Sequence, residues 1–266
     1  MSDAYVETTV LTDILLKPES PKQRRATTAL KRYTKTLLPV YSIKEWKAGP
    51  LHNFAYLHDK LVFTKSFSQT LNAISALGRG TYLKSTAMEA LAATATSLKA
   101  APQKYAGLGN RDDEMADSYR LALASLIIRS WRKRRKITTH VVDDLTCYVE
   151  VEPRVGQDGF FDLTPQKCDG DQECCLGPRL KAQPQLLEAL RKAIPENSDR
   201  TEDQRRRQAL KHLLKHPKDK VDRETCRALG DAIYAFFCPQ NAVVLTTNLR
   251  DHAPLAKAIG KKAEEP

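Results

Sequence analysis

Four acidic residues stand where they could share one cation. Each follows a predicted strand or opens a predicted helix: Glu7 after AYV, Glu45 after LLPVYSIK, Asp231 within ALGDAIYA and Asp251 within LTTNLRDH. Ligands of open α/β sheets bind in the crevice at the carboxyl ends of the strands, so we expect these side chains to lie close together. Four carboxylates in one crevice repel one another unless a cation or protons neutralise them. The pattern therefore predicts a hard divalent cation with oxygen ligands, Mg²⁺ or Mn²⁺.

Taken singly, each acid has a simpler interpretation as a helix cap or a partner of the helix dipole. Glu45 lies three residues after Ser42, which is the spacing of a capping box. Asp222 precedes the helix that holds Asp231 and is expected to cap it. Only the joint occurrence of the four acids, each beside a strand, favours the cation site over caps.

The two ends of the chain contain the elements that must position these acids. Residues 1–62 contain a strand (AYVE), two helices, an extended run (KTLLPVY) and a further helix from SIKEWKAG. Residues 217–266 contain a helix (DRETCRALGDAIYAFF), a strand (AVVLTT), a short helix (APLAKAIG) and a tail, KKAEEP, that we expect to be frayed. Alternation of this kind predicts an α/β fold in which both ends contribute to one parallel sheet.

The middle of the chain, residues 63–216, lacks that alternation and reads as a mainly helical insertion. Its most regular helix spans 112–136, with acids at its start and bases at its end, as the helix dipole favours. A short extended segment is predicted near 138–152.

At this point the sequence resembles the PIN domain family of metal-dependent nucleases. The resemblance rests on VETTVL, SIKEWKAG, GDAIYAFF and VVLTTNLRDHAPLA, in the order in which that family carries its acids. It covers roughly 1–62 and 217–266 and implies a three-layer α/β fold with a small parallel sheet. The usual Asp-Thr-Asn of the family is Glu7-Thr8-Thr9 here, and His252 stands where an aromatic residue often follows the last acid, which we interpret as a change in packing.

The resemblance implies an endoribonuclease, often a toxin or a processing or defence nuclease, in which Glu7, Asp231 and Asp251 hold Mg²⁺ or Mn²⁺ and Glu45 helps directly or through water. It further implies that Thr8 and Thr247 orient ligands or water and that Asn248 adds a neutral oxygen. Because Glu is longer than Asp by one methylene, two alternatives stay open: an active RNA endonuclease and a catalytically idle PIN-like protein that binds nucleic acid or works as an adaptor. Single-stranded DNA is the alternative substrate, since a metal-held phosphate does not report the 2′-hydroxyl.

Charge supports a nucleic-acid partner. The 43 Lys and Arg residues against 32 Asp and Glu residues give a net charge of +11. Two dense clusters are the predicted phosphate contacts, and Trp131 among them is predicted to stack on a base. The residues concerned are Arg129, Trp131, Arg132, Lys133, Arg134 and Arg135 in the first cluster and Arg205, Arg206 and Arg207 in the second. The alternative for each cluster is a solvated surface.

Composition limits the remaining classes of function. There is no apolar run of the length that spans a bilayer and no secretory signal at the start, so we expect a cytoplasmic protein without a membrane partner. Six cysteines occur without a two-residue gap between any pair, so we do not expect zinc at Cys168, Cys174 and Cys175. A free ribonuclease harms its own cell, so we expect inhibition or regulation by a protein partner, restricted specificity or triggered activation. The oligomeric state is left open.

Overall fold

The computed structural model describes residues 2–78, 82–100, 103, 111–163, 175–217 and 221–266. The chain is an α/β protein, as the alternation of its ends predicts. The described strands are β1 (Asp3–Val6), β2 (Thr36–Pro39), β3 (His140–Val142), β4 (Arg154–Val155), β5 (Phe161–Asp162), β6 (Ala242–Leu245) and β7 (Lys262–Glu264).

Helices make up most of the rest of the described chain. They are α1 (Thr8–Leu16), α2 (Pro21–Leu30), α3 (Val40–Trp46), α4 (His52–Thr64), α5 (Phe67–Ser75), α6 (Tyr82–Ala100), α7 (Asp112–Ile137), α8 (Leu176–Lys181), α9 (Pro184–Ala193), α10 (Thr201–Lys215), α11 (Arg223–Leu229), α12 (Asp231–Phe237) and α13 (Leu249–Ala258). A π-helical turn, Lys47–Leu51, joins α3 to α4. Among these helices, none is long and apolar enough to cross a membrane.

Five strands form one parallel sheet in the order β3-β2-β1-β6-β7. The central strand, β1, pairs with β2 on one side and with β6 on the other, so the two ends of the chain do meet in one sheet. The edge strand β3 comes from the middle segment, and β4 and β5 form a separate antiparallel pair. The division into 1–62, 63–216 and 217–266 stays a prediction.

The sheet has a hydrophobic core on each face. Side chains alternate along a strand, and in β1 Val6 packs into one cluster, with Leu11 and Trp46, while Tyr5 packs into the other, with Tyr234. Cores on both faces define three layers, helices on either side of the sheet.

Two predictions at the carboxyl-terminal end are wrong. The tail KKAEEP is not frayed, because Lys262–Glu264 forms β7 and pairs with β6. The single helix predicted for DRETCRALGDAIYAFF is two helices, because Gly230 adopts a φ of +38° between α11 and α12. A positive φ ends a right-handed helix, and glycine takes it without a Cβ clash. Asp231 therefore begins a new helix, although Asp222 caps α11 as expected, accepting from the Thr225 amide at 2.7 Å.

Candidate functional site

Glu7 lies at the carboxyl end of the central strand. Its amide donates to the Leu245 carbonyl of β6, which brings the ends of β1 and β6 together. Its side chain caps α1 by accepting from the Thr9 amide at 3.0 Å, and it also accepts from the hydroxyls of Thr9 and Thr246. Burial raises the pKa of Glu7 above its ordinary value, although nearby His252 and the bonds from Thr9 oppose that shift.

Glu45 lies in the last turn of α3 and is not part of a capping box. That prediction is wrong because α3 begins at Val40, so Ser42 is inside the helix, where its hydroxyl donates to the Val6 carbonyl. Glu45 instead accepts from the hydroxyls of Thr8, at 2.8 Å, and Tyr234, at 2.7 Å. Ser42 therefore ties α3 to β1 and so places Glu45 beside Thr8.

The environment of Glu45 favours the protonated carboxyl group. Burial is the main cause that raises the pKa of Glu45 to about 7, and the charges of Glu7 and Asp231 add to it. The hydrogen bonds from Tyr234 and Thr8 oppose the shift, because both stabilise the carboxylate. Glu45 therefore changes charge near neutral pH.

Asp231 contacts two basic side chains, Arg206 and His252. Arg206 of α10 pairs with Oδ2, and Nε2 of the buried His252 lies 3.2 Å from Oδ1. Burial opposes ionisation, but His252 and Arg206 outweigh it and hold the pKa of Asp231 below its ordinary value. The contact with Asp231 likewise outweighs burial and raises the pKa of His252. His252 is thus a partner of a site acid, which corrects its interpretation as a packing change only.

Asp251, in the first turn of α13, is paired with Arg200. The guanidinium bonds both carboxylate oxygens, with Nη2 2.9 Å from Oδ2, and this bond is the main cause that lowers the pKa of Asp251 to about 2. The predicted supporting residue Asn248 donates from Nδ2 to the same Oδ2 at 3.0 Å. Asn248 therefore contributes a donor to Asp251 rather than the neutral oxygen that the resemblance implies.

The four acids, from segments far apart in the chain, lie in one electrostatically coupled group. The charges of Glu7 and Asp231 help to raise the pKa of Glu45, and the charge of Asp231 helps to raise the pKa of Glu7. The charge of Asp251 in turn opposes ionisation of Asp231. We call these four residues the acid cluster. Their arrangement around the ends of β1 and β6 follows from the parallel sheet, since both strands end at the same edge.

The acid cluster, as its side chains stand, does not fit a divalent metal ion. Within the part of the chain that is described, no three His, Cys, Asp or Glu side chains are grouped so that they could hold an ion. Arg206 and Arg200 bond the oxygens of Asp231 and Asp251 that an ion would need. The structure therefore shows an acid cluster that arginines partly neutralise.

A cleft of about 890 Å³ opens beside the acid cluster. Glu45 lines it together with the predicted supporting residues Thr8 and Thr247 and with Thr9. Three further acids line it: Asp13, Glu89 and Glu265. Six cationic side chains line the same cleft, and none of them belongs to the two predicted basic clusters. They are Lys17, Lys22, Arg25, Lys44, Arg223 and Arg227.

The structure corrects the predicted roles of Trp131 and Arg134. Trp131 is 1 % exposed and lies in the core, where its ring stacks on Trp46 with 6.1 Å between centroids. Arg134 lies 4.1 Å from the Trp131 ring and donates to Glu150 at 2.7 Å. A buried indole cannot stack on a base, and the Arg134 guanidinium is occupied by a ring and a carboxylate.

Several other members of the two basic clusters also have acidic partners. Arg132 pairs with Glu152, Arg135 pairs with Glu150, and Arg207 pairs with Glu196. Arg206 is buried on Asp231, so it cannot contact phosphate in this arrangement. Arg129, Lys133 and Arg205 stay exposed. The clusters are therefore poorer candidates for phosphate binding than their density suggests.

The cysteines within the described residues add no site to those already described. Cys168 and Cys174 lie outside the described residues, and Cys175 donates from Sγ to the Asp144 carbonyl at 3.2 Å.

Comparison with family models, with curated proteins and with solved structures finds no match to this chain.

Proposed function

We propose that this chain is an endoribonuclease of the divalent-metal-dependent class to which the PIN resemblance points. One observation carries the proposal: Glu7 is buried and Glu45 half-buried beside Asp231, and within the described chain the groups that bond their carboxyls are hydroxyls and an amide. Burying acidic groups without a paired cation costs stability. Their placement together beside a cationic cleft favours a role in chemistry over a role in packing.

Glu45 is the residue best placed to move a proton. It lines the cleft, and its pKa of about 7 is the value that suits a general base at neutral pH. In the proposed reaction the Glu45 carboxylate takes a proton from a water molecule, and the water oxygen attacks phosphorus. The bond from phosphorus to the 3′-oxygen breaks, that oxygen takes a proton from solvent, and a 5′-phosphate product results, as the resemblance implies.

Metal dependence enters the proposal from the resemblance. Arg206 bonds Asp231, so an ion held by that carboxylate would have to displace the guanidinium. Thr8 and Tyr234 hold Glu45 in place through their hydroxyls.

The second candidate is a catalytically idle protein that binds nucleic acid. The observation that favours it is the pairing of Asp231 with Arg206 and of Asp251 with Arg200, which leaves the acid cluster without a ready metal site. The presence of Glu7 in place of the family's usual Asp points the same way.

Cleavage of a labelled single strand separates the two candidates. A 5′-labelled RNA and a DNA of the same sequence are incubated with the protein in Mn²⁺, in Mg²⁺ and in EDTA. We expect RNA fragments with either metal and none in EDTA. The Asp231→Asn variant should lose cleavage, because Asn removes the anionic oxygen while keeping the side-chain size.

The matched control is Asp222→Asn, on the neighbouring helix, where Asn still serves as an N-cap. This variant should cleave as the unaltered protein does. Intact RNA in Mn²⁺, or full activity in Asp231→Asn, refutes the nuclease. Cleavage of DNA alone replaces the substrate class and leaves the site assignment in place.

A further inference from the structure

We infer that the cleft binds the sugar-phosphate backbone of a single strand through Lys22 and Arg25 of α2 and Arg223 and Arg227 of α11. We call these four residues the cleft cations. The inference deepens the proposed function, on which it rests for the identity of the ligand as nucleic acid. Binding can nevertheless be measured without cleavage.

The cleft cations differ from the other basic side chains of the site by having no partner. All four are exposed, and none has an ion pair or a side-chain hydrogen bond within the described residues. Lys17, in the same cleft, instead pairs with Asp13 at 2.9 Å and with Glu89 at 3.2 Å. A cation without an ion pair breaks no internal interaction when it binds phosphate.

Their places on the helices also argue against a structural role. Lys22 is the second residue of α2, and Arg223 is the first residue of α11. The first turn of a helix carries partial positive charge, so a cation there is disfavoured. Arg25 follows Lys22 by three residues and Arg227 follows Arg223 by four, and these spacings place each pair on one helix face. Each helix thus presents two cations to the cleft, and the helix dipole does not explain the first of each pair, although it favours Arg227 in the last turn of α11.

The dimensions of the cleft select the form of the ligand. A volume of about 890 Å³ suits a few nucleotides of an extended strand. We expect a duplex, which is wider than a single strand, to fit this cleft less well. Glu45 and Thr9 line the same cleft, so a backbone held by the cleft cations passes the carboxyl group that the proposed reaction uses.

Salt dependence of binding tests the inference. A fluorescein-labelled 12-nucleotide RNA is titrated with the full chain in EDTA, which prevents metal-dependent cleavage, and anisotropy is followed from 50 to 300 mM KCl. Each phosphate contact with a single strand contributes about 0.7 to the slope of log K against log salt. Lys22→Gln/Arg25→Gln and Arg223→Gln/Arg227→Gln should therefore each lower the slope by about 1.4. If a variant and the unaltered protein bind equally at 1 M salt, a slope difference of about 1.4 makes the variant bind about 25-fold more weakly at 0.1 M salt.

The matched control is Lys133→Gln/Arg205→Gln, which removes the same charge from exposed positions of the two basic clusters. We expect its slope and affinity to equal those of the unaltered protein. Because all substituted residues are exposed, thermal unfolding should be unchanged in every variant. A duplex RNA of the same sequence should bind more weakly than the single strand.

Three results overturn the inference: no binding by the unaltered protein, cleft variants with the original slope, or a control that loses as much affinity as they do. The last result would assign the phosphate contacts to the two basic clusters, which contain Lys133 and Arg205. Binding through the cleft without cleavage supports the inference and refutes the nuclease. Cleavage that survives all four cleft substitutions supports the nuclease and refutes the inference that the cleft cations bind the strand.

Discussion

Replacing Arg206 with Met tests whether this arginine neutralises the acid cluster. Methionine keeps most of the apolar stem and removes the guanidinium from Asp231. The Arg206 side chain is 8 % exposed and the Asp231 side chain 21 % exposed, so the pair is largely buried. Removing one partner of a buried pair costs about 3–5 kcal/mol. Since His252 still faces Asp231, we expect a loss near the lower limit, about 3 kcal/mol in the free energy of unfolding.

Urea unfolding followed by circular dichroism measures this loss, with and without Mn²⁺. An ion present at 100 times its dissociation constant stabilises a folded protein by about 2.7 kcal/mol. In Arg206→Met no guanidinium competes for Asp231 Oδ2, so Mn²⁺ should restore most of the lost stability. The unaltered protein should gain less from Mn²⁺, because part of the binding free energy is spent in displacing Arg206.

Arg205→Met is the control for Arg206→Met. Arg205 is the adjacent exposed residue, so its replacement should change stability by less than about 0.5 kcal/mol. Equal stability of Arg206→Met and the unaltered protein, or an equal gain from Mn²⁺ in both, would refute the competition between Arg206 and the ion.

Two further predictions concern Glu45 and Arg134. The pKa of Glu45 in the folded protein is about 7, above the ordinary value of 4.5. Between these pH values the folded protein therefore binds more protons than the unfolded chain does. Its free energy of unfolding consequently falls as pH rises from 4.5 to 7. Glu45 contributes at most about 1.4 kcal/mol per pH unit to this fall. Glu45→Gln should remove that contribution when urea unfolding is compared at pH 5 and pH 8. An identical pH dependence in the variant would contradict the raised pKa of Glu45. Arg134→Met should destabilise the protein by less than the cost of breaking a fully buried pair, about 3–5 kcal/mol, because Glu150 is 36 % exposed and keeps Arg135 as a partner. The folded variant should bind RNA as before, and lost affinity at unchanged stability would make Arg134 a phosphate contact after all.

The sequence predicts the sheet best where apolar runs are bounded by turns and helices. Val6 and Val244 belong to such runs, and both strands occur close to the predicted positions. The strand at Lys262–Glu264 could not be found in this way, because an edge strand with polar side chains depends on backbone pairing with β6 rather than on burial. The break at Gly230 was hidden because a glycine within a helical pattern is usually tolerated.

Three members of the acid cluster were predictable from the strands, because Glu7 follows β1 and because Glu45 and Asp251 lie in the helices that follow β2 and β6. Asp231 follows no strand, since it opens α12 after α11. The cationic partners of the acid cluster were not predictable. Arg200 and Arg206 lie in the middle segment, and no local spacing indicates that they reach Asp251 and Asp231. His252 directly follows a site acid, and this position was the available signal for its role.

The basic residues show why density in sequence is a poor guide to phosphate binding. The cluster at the end of α7 is dense because the helix dipole and the acids Glu150 and Glu152 stabilise it internally. The cleft cations are sparse, and the fold gathers them from two helices on which each pair is separated by only three or four residues. Exposure and the lack of a partner become visible only in three dimensions.

The central position of β1 in the sheet constrains how the protein is made. A ribosome produces Glu7 long before it produces Ala242–Leu245, the neighbour of β1 in the sheet, and the helix that bears Asp251. Contacts between such distant segments form late in folding, because the entropy cost of closing a long loop comes before the contacts can stabilise the chain. A nascent chain that does not yet contain β6 therefore lacks the pair of strands around which the carboxyl groups assemble.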